Sequence, residues 1–238
     1  MSASSFKRLY IVRHGQAAHN PRAEVAKANG CSMEEFLNTM REDDVLDAEL
    51  TSLGRKQASS AMLQIDVDLV VSSPLSRALE TADLIHPPSS SPRVCCEAFR
   101  EVNGDMLNAK RLSKTLLEDK FPAWDFQDLK TDHDGLWTSD MEKFEDTAER
   151  GYQGLSWLMD RKEDSILLVS HGGILRYMMN IHPLVSLRDD RKNPNGKTVE
   201  SRFDNCEGRQ YILSWNDDER ARKSDDERRK ILLTQVDH

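Results

Sequence analysis

The chain has 238 residues, of which 38% are hydrophobic and 31% are charged. Its apolar residues occur in compact blocks, which argues against global disorder, so we expect a single folded domain over residues 1–238. The net charge of −8 excludes nucleic acid and anionic membranes as expected partners, because both would be repelled. Any anionic substrate would have to be held by arginines placed close to it.

Four blocks have the length and aliphatic content of buried strands, and helical patterns lie between them. The predicted strands are Leu9–Val12, Val67–Val71, Ile166–Val169 and Tyr211–Trp215. The predicted helices cover about 52–63, 74–85, 109–118, 140–159 and 173–180. This alternation predicts an α/β fold, a three-layer sandwich in which helices flank a mostly parallel central sheet.

Three segments stand apart from the alternation, at about 21–50, 105–137 and 216–238. The first is long for a connection, and we expect an insert with a helical piece at about 33–40. The second is a lid-like region whose aromatic residues pack in the core or cover the site. The third is a charged extension. Its balanced acids and bases over 216–230 favour an exposed helix or a disordered segment.

Cysteine usage and the first residues bear on the compartment. Cys31, Cys95, Cys96 and Cys206 form no C-x-x-C pair, so a reducing environment is expected. Residues 1–7 are followed by no long apolar run, and neither a signal peptide nor a membrane anchor is predicted. We therefore expect a cytoplasmic protein.

Polar residues directly follow three of the predicted strands. The segments are Arg13-His14-Gly15, then Ser72-Ser73-Pro74 with Arg77 after it, then Ser170-His171-Gly172-Gly173. In open α/β sheets, ligands bind outside the carboxyl ends of the strands. We therefore expect these three segments to meet in one crevice.

Two arginines and two histidines in one crevice suit a phosphate ester. Arginine binds phosphate oxygens through two parallel hydrogen bonds. One neutral histidine can attack phosphorus while the other donates a hydrogen bond to the phosphoryl oxygens. Ser73-Pro74 and Gly172 are predicted to open helices, whose free amides favour anions. Glu101 follows another apolar run and suits proton transfer to the leaving oxygen.

The segment Leu9–Gly15 resembles the opening motif of the histidine phosphatase superfamily, which includes cofactor-dependent phosphoglycerate mutases and fructose-2,6-bisphosphatases. The resemblance continues in order through Asn20, Leu50–Ala58, Ser72–Ala82, Phe99–Glu101, Val169–Gly173 and Asn205-Cys206. Arg-His-Gly alone recurs by chance, but the ordered set spans nearly the whole chain.

The resemblance implies a phosphoglycerate mutase-like fold and assigns roles to individual residues. It implies that His14 is phosphorylated, that Glu101 is the acid and base, and that His171 completes the catalytic set. The phosphate-binding residues are expected to be Arg13, Asn20, Arg77 and Gly172, the last from its place at a helix entry. None of the histidines has zinc-ligand spacing, so we expect no metal and no other cofactor.

Two further segments bear on the branch of this family. Residues 121–137 and 47–51 are similar to a phosphoglycerate mutase-like branch found in plants and fungi. Residues 16–20 depart from the Glu-Ser/Thr version of true mutases, in which those side chains help to hold the substrate. This departure lowers the expectation of mutase activity.

We therefore expect a phosphomonoesterase acting on a small phosphorylated substrate. A mutase-type transferase and a non-catalytic phosphate-binding module are the alternatives. His19 is either a solvated loop residue or a substrate contact, and His86, His133, His182 and His238 are expected to be structural or surface residues. Whether the protein is a monomer or a homodimer is left open.

Overall fold

A computed structural model of the protein describes residues 6–42, 45–88, 91–189, 202–216 and 228–236. Seven strands form one mixed sheet in the order β3-β2-β4-β1-β6-β7-β5. The strands are β1 (Phe6–Arg13), β2 (Leu69–Ser72), β3 (Arg93–Cys95), β4 (Ser165–Ser170), β5 (Val185–Asp189), β6 (Gly208–Trp215) and β7 (Ile231–Val236). Strand β6 runs antiparallel to both of its neighbours, whereas the other pairings are parallel.

Seven α-helices of the described residues flank this sheet. They are α1 (Asn20–Ala28), α2 (Met33–Arg41), α3 (Ser52–Ser60), α4 (Ser76–Ile85), α5 (Lys114–Lys120), α6 (Phe144–Asp160) and α7 (Gly172–Asn180). The mostly parallel three-layer sandwich predicted from the sequence is confirmed. In the part of the chain that is described, no helix is long and apolar enough to cross a membrane.

Alternation along the central strands divides the core into two layers. Leu9 and Ile11 of β1 face α6 and α7, whereas Val12 faces α3, α4 and the segment 117–129. Side chains of a strand point alternately to the two faces of its sheet, and continuously apolar strands need helices on both faces. Phe121, Trp124 and Phe126, within the expected lid-like region, are buried in the second layer.

Two strands in the second half of the chain were missed by the sequence prediction. The charged extension expected over 216–238 contains β7, which pairs with both β6 and β5. The alternating pattern of β7, with Ile231 and Leu233 buried, follows a highly charged stretch that hides it. The interpretation of 216–230 as a helix or disordered segment falls largely on residues 217–227, outside the described residues.

Three predicted helices begin later than expected. The helix predicted at 74–85 begins at Ser76, and the one predicted at 140–159 begins at Phe144. The helix predicted at 109–118 is wrong over its first half, because the backbone N–H groups of Arg111 and Leu112 donate to the carboxylates of Asp134 and Asp47. Those donors are unavailable to a helical turn, and α5 starts after Ser113 caps it.

Candidate active site

The carboxyl ends of three neighbouring parallel strands, β2, β4 and β1, create the site. The backbone N–H of His14 donates to the Ser170 carbonyl at 3.0 Å, and that of Ser73 donates to the Val169 carbonyl at 3.2 Å. These bonds extend the strand pairing by one residue and hold the following side chains over the same edge. The three segments that were expected to meet therefore lie together at one edge of the sheet.

His14 is 2% exposed and its orientation is fixed by its own turn. Its Nδ1 lies 2.6 Å from the carbonyl oxygen of Gly15. A carbonyl only accepts, so Nδ1 carries the proton and Nε2 keeps its lone pair. The Arg77 Nε–H donates to this Nε2 at 3.4 Å. The Nε2 lone pair of His14 therefore faces a cationic group.

His171 lies beside His14, with 4.9 Å between the ring centroids, and is completely buried. Its Nε2 lies 2.7 Å from Ser73 Oγ, which also accepts from the Leu75 backbone N–H at 3.3 Å. When the Ser73 hydroxyl donates to Nε2, the imidazole proton lies on Nδ1. That nitrogen is buried without a partner in the described residues and is free to donate to a ligand.

Arg77 and Arg13 are held by carbonyl groups rather than by carboxylates. Arg77 Nη1 donates to the Asn108 carbonyl at 2.7 Å, and Arg13 Nη1 donates to the Phe203 carbonyl at 2.8 Å. Arg77 Nη2 and Arg13 Nε are buried without a partner in the described part of the chain. Each guanidinium therefore keeps an unused donor.

The electrostatics of the pocket favour neutral histidines and an incoming anion. Burial, followed by the charges of Arg77 and Arg13, lowers the pKa of His14 well below its ordinary value. Burial and Arg77 do the same to the pKa of His171. Burial lowers the pKa of Arg77 to about 10 despite the nearby Asp47 and Glu101 carboxylates. These shifts arise first from burial, which disfavours the charged forms, and for the two histidines also from the arginine charges beside them.

Glu101 lies at the N-terminus of α7. Its Oε1 accepts from the backbone N–H groups of Ile174 and Val102, both at 2.9 Å, and its Oε2 accepts from that of Gly173 at 3.1 Å. A Cβ at Gly173 would overlap Oε1, so glycine is needed for this close approach. Oε2 has a second lone pair that these amides do not use, and it is available for a proton.

Arg150 of α6 holds the segment that carries Glu101. Its guanidinium donates to the carbonyls of Ala98, Arg100 and Glu101 at 3.0, 2.9 and 3.1 Å. The same guanidinium pairs with Glu142, at 2.7 Å from Nη2. Three carbonyls on one guanidinium fix the path of the backbone and so set the position of the Glu101 side chain.

Gly172 and Asn20 occupy different positions relative to the pocket. A Cβ on Gly172 would lie 3.4 Å from Arg13 Nε, so this glycine keeps space open beside the unused arginine donor. Asn20 Oδ1 accepts from the Ala17 backbone N–H at 2.8 Å, and its Nδ2 faces His19 Nε2 at 3.0 Å. Direct contact of Asn20 and Gly172 with a phosphate stays a prediction.

Sequence reasoning missed several residues that complete the site. Ser73-Pro74 was expected to open α4, but α4 begins at Ser76, and the Ser73 hydroxyl contacts His171 and accepts from the Leu75 backbone N–H. The N-cap residue Leu75 provides no side-chain hydrogen bond, and the first turn of α4 is instead bound by Asp47, whose carboxylate accepts from the Ser76 backbone N–H and hydroxyl at 2.9 and 2.8 Å. The carbonyls of Asn108 and Phe203 leave no signal in a sequence, because every residue has a carbonyl.

The described residues also bear on metal binding. Among them, no group of three or more His, Cys, Asp or Glu side chains is arranged to hold a metal ion. The donors that surround the pocket are nitrogens of arginine and histidine, together with the Glu101 carboxylate.

Comparison with known proteins identifies the family. Residues 9–218 match the histidine phosphatase superfamily (branch 1), and the chain belongs to this superfamily. Phosphoglycerate mutase-like protein 1 of Arabidopsis thaliana is 30% identical over 243 residues, which cover 87% of this chain and 81% of that protein. A Hydrogenobacter thermophilus protein, named provisionally as phosphoserine phosphatase 2, is 30% identical over 177 residues covering 71% of this chain and 75% of its own.

One solved structure shares the fold of this chain. This Escherichia coli protein, described provisionally as an α-ribazole-5′-P phosphatase, covers 100% of this chain and 97% of its own, with a TM-score of 0.53 and 20% sequence identity. The phosphoglycerate mutase-like fold implied by the sequence motifs is thereby confirmed. Relatives of the chain carry the names of both mutases and phosphatases.

Proposed function

We propose that this chain is a metal-independent phosphomonoesterase that hydrolyses a small phosphorylated substrate through a phosphohistidine on His14. The observation that carries the proposal is the state of His14. Its Nδ1 proton is committed to the Gly15 carbonyl, and its Nε2 lone pair lies in a buried pocket with the cationic donors of Arg77 and Arg13. A nucleophile beside unused phosphate-binding donors supports phosphoryl transfer.

The first step would transfer the phosphoryl group to the protein. The His14 Nε2 lone pair forms a bond to phosphorus while the bond from phosphorus to the ester oxygen breaks. Protonated Glu101 gives its proton to the departing oxygen, so an alcohol leaves. Arg13, Arg77 and the His171 Nδ1–H donate hydrogen bonds to the phosphoryl oxygens, whose charge they stabilise.

The second step would release inorganic phosphate. The Glu101 carboxylate takes a proton from a water molecule while the water oxygen attacks phosphorus. The bond from phosphorus to Nε2 breaks, and its electron pair returns to His14. Glu101 is again protonated and His14 is again neutral, so the net reaction consumes one ester and one water.

The surroundings of Gln16 favour hydrolysis over the mutase alternative. The Gln16 side chain accepts from the Thr51 hydroxyl at 2.9 Å and donates to Glu24 at 2.7 Å, and Ala17 is completely buried. Of the two residues that follow Gly15, Gln16 therefore has its amide already hydrogen-bonded and Ala17 has only an apolar side chain. A bound intermediate that must be held for a second transfer would find few polar contacts there.

A panel of phosphorylated metabolites and phosphopeptides, assayed with EDTA, tests the proposal. We expect release of phosphate from at least one ester, and a loss of about three or more orders of magnitude in kcat for His14→Ala. His133→Ala is the matched control, because His133 is exposed and outside the pocket. Turnover by His14→Ala close to that of the unchanged protein would contradict the proposal.

The same assay separates the alternatives. A mutase would pass the phosphoryl group from His14 to a second hydroxyl of an added acceptor faster than to water. A binding module would retain inorganic phosphate and phosphate esters without turnover of any compound in the panel.

A further inference from the structure

His19 is buried at the pocket, although the sequence was equally consistent with a solvated loop residue. The residue is 5% exposed, and its ring centroid lies 6.3 Å from that of His14. Burial, Arg77 and Arg13 lower the pKa of His19 well below its ordinary value. A neutral third imidazole therefore lies within the electrostatic reach of both pocket arginines.

The hydrogen bonds of Asn20 determine which nitrogen of His19 carries the proton. Asn20 Oδ1 accepts from the Ala17 backbone N–H at 2.8 Å, which assigns the other end of the amide as Nδ2. That Nδ2 lies 3.0 Å from His19 Nε2. An amide nitrogen only donates, so Nε2 accepts and the proton of neutral His19 lies on Nδ1.

The His19 Nδ1–H has no partner in the described residues although it is buried. A buried donor without an acceptor is costly to a folded protein, and such a donor in a functional pocket calls for a ligand. Arg77 Nη2, Arg13 Nε and His171 Nδ1 share this condition. An anion with several oxygens, held among these groups, would satisfy all four donors.

We propose that His19 is a phosphate-binding residue whose Nδ1–H donates to an oxygen of the phosphoryl group, with Asn20 setting its tautomer. The inference rests on the proposed function, because it assumes that the pocket holds a phosphoryl group. It also gives Asn20 an indirect role, since its amide orients His19 whether or not it touches phosphate.

Two substitutions distinguish the donor at Nδ1 from the ring as a whole. In His19→Asn the amide nitrogen can occupy the position of Nδ1, whereas in His19→Gln it reaches the position of Nε2. His19→Phe removes both nitrogens but keeps a ring. His86→Phe is the matched control, because His86 is also buried with an unpartnered Nδ1 but lies after α4, at the end opposite Arg77.

The measurement is the affinity for inorganic phosphate, by titration calorimetry and by competitive inhibition of turnover. We expect His19→Phe and His19→Gln to bind phosphate about 10-fold to 100-fold more weakly, as for a hydrogen bond to a charged group. His19→Asn should stay within about threefold of the unchanged protein, and His86→Phe should bind equally well. Circular dichroism confirms that each variant is folded, and His19→Gln substitutes for His19→Phe if the latter is not.

Unchanged phosphate affinity in folded His19→Phe or His19→Gln would overturn the inference. Phosphate binding that depends on His19 in a protein that turns over no ester would support the inference and remove the proposed hydrolysis. Hydrolysis of an ester together with a phosphate affinity that does not depend on His19 would support the proposed hydrolysis and overturn the inference. Absence of phosphate binding by the unchanged protein would overturn the inference, whereas the proposed hydrolysis is decided by the turnover of esters in the panel.

Discussion

Two buried arginines, Arg77 in the pocket and Arg100 behind it, show how the same side chain serves a site and a scaffold. Burial lowers the pKa of Arg77 to about 10. The charges of the nearby carboxylates do not offset this effect, because they are not hydrogen-bonded to Arg77. Burial acts on Arg100 too, but bonds from Asp134 and the charge of Glu97 outweigh it and raise its pKa. Arg100 has its anions within the protein, whereas Arg77 is left to bind one from outside.

The contacts of the two guanidinium groups explain the difference. Arg100 makes two bonds to Asp134, at 2.8 and 2.6 Å, and further bonds to Glu97 and Asn103. Among the described residues, Arg77 donates to the Asn108 carbonyl and to the neutral His14 ring, and it forms no ion pair with a carboxylate. Incomplete compensation of a buried charge therefore marks the candidate phosphate site.

Substitution at Arg100 should have the largest effect on stability. Arg100→Met leaves the buried Asp134 carboxylate without its cation, and we expect a loss of about 3–5 kcal/mol in the free energy of unfolding. Urea denaturation measures this change. A loss below about 1 kcal/mol in Arg100→Met would contradict a scaffold role.

Substitution at Arg77 should affect turnover and leave stability nearly unchanged. Arg77→Met removes a buried charge that lacks a direct carboxylate partner, so we expect the free energy of unfolding to change by about 1 kcal/mol or less. Loss of a charged donor to the phosphoryl group should lower kcat/KM by about 10²-fold to 10³-fold. A stability loss as large as that of Arg100→Met would erase the distinction between the two arginines.

The free energy of unfolding should also decrease as the pH falls, because of the pocket histidines. The pKa values of His14, His19 and His171 are lowered on folding, so below the ordinary value of 6.5 the unfolded chain binds more protons than the folded one. Each histidine that stays neutral in the folded protein therefore lowers the free energy of unfolding by about 1.4 kcal/mol for every pH unit below 6.5. Above about 6.5 it has no such effect.

Unfolding curves between pH 7.5 and pH 5.5 test this slope. His171→Asn should reduce the dependence on pH, whereas substitution of the exposed His133 should not. An unfolding free energy that is flat over this range would contradict the assignment of neutral, buried histidines. Added phosphate should flatten the slope, since a bound anion favours protonation of its histidine neighbours.

The smallest effect is expected at Ser73, which contacts the pocket only through His171. Ser73→Ala removes the hydroxyl that orients the His171 ring, and we expect kcat to fall about tenfold with little change in KM. Ser59→Ala, on the exposed face of α3, is the control. Unchanged kcat in Ser73→Ala would show that His171 is oriented by packing alone.

The sequence was sufficient for the central strands and the residues that follow them. Continuous apolar blocks predicted β1, β2 and β4, and the parallel arrangement of these strands brings Arg13, His14 and His171 together. Strand β7 was missed because its alternating pattern is weak beside charged residues. Strand β5, Val185–Asp189, was missed for lack of a continuous apolar block.

The orientation of the site side chains required the structure. Nothing in the sequence places His19 beside His14, because its burial depends on how residues 17–20 turn over the sheet edge. The Ser73 hydroxyl could cap a helix or contact a histidine, and only the fold decides between them. The contrast between Arg77 and Arg100 likewise depends on which carboxylates the folded chain brings within bonding distance.

Trapping the covalent intermediate tests the proposed chemistry most directly. The protein is mixed with a turned-over ester, quenched in alkali, where phosphohistidine survives, and digested for mass spectrometry. We expect phosphate on the peptide that contains His14, formed no more slowly than the product of steady-state turnover, and absent from His14→Ala. Full turnover with no phosphate on that peptide at any time would contradict His14 as the nucleophile.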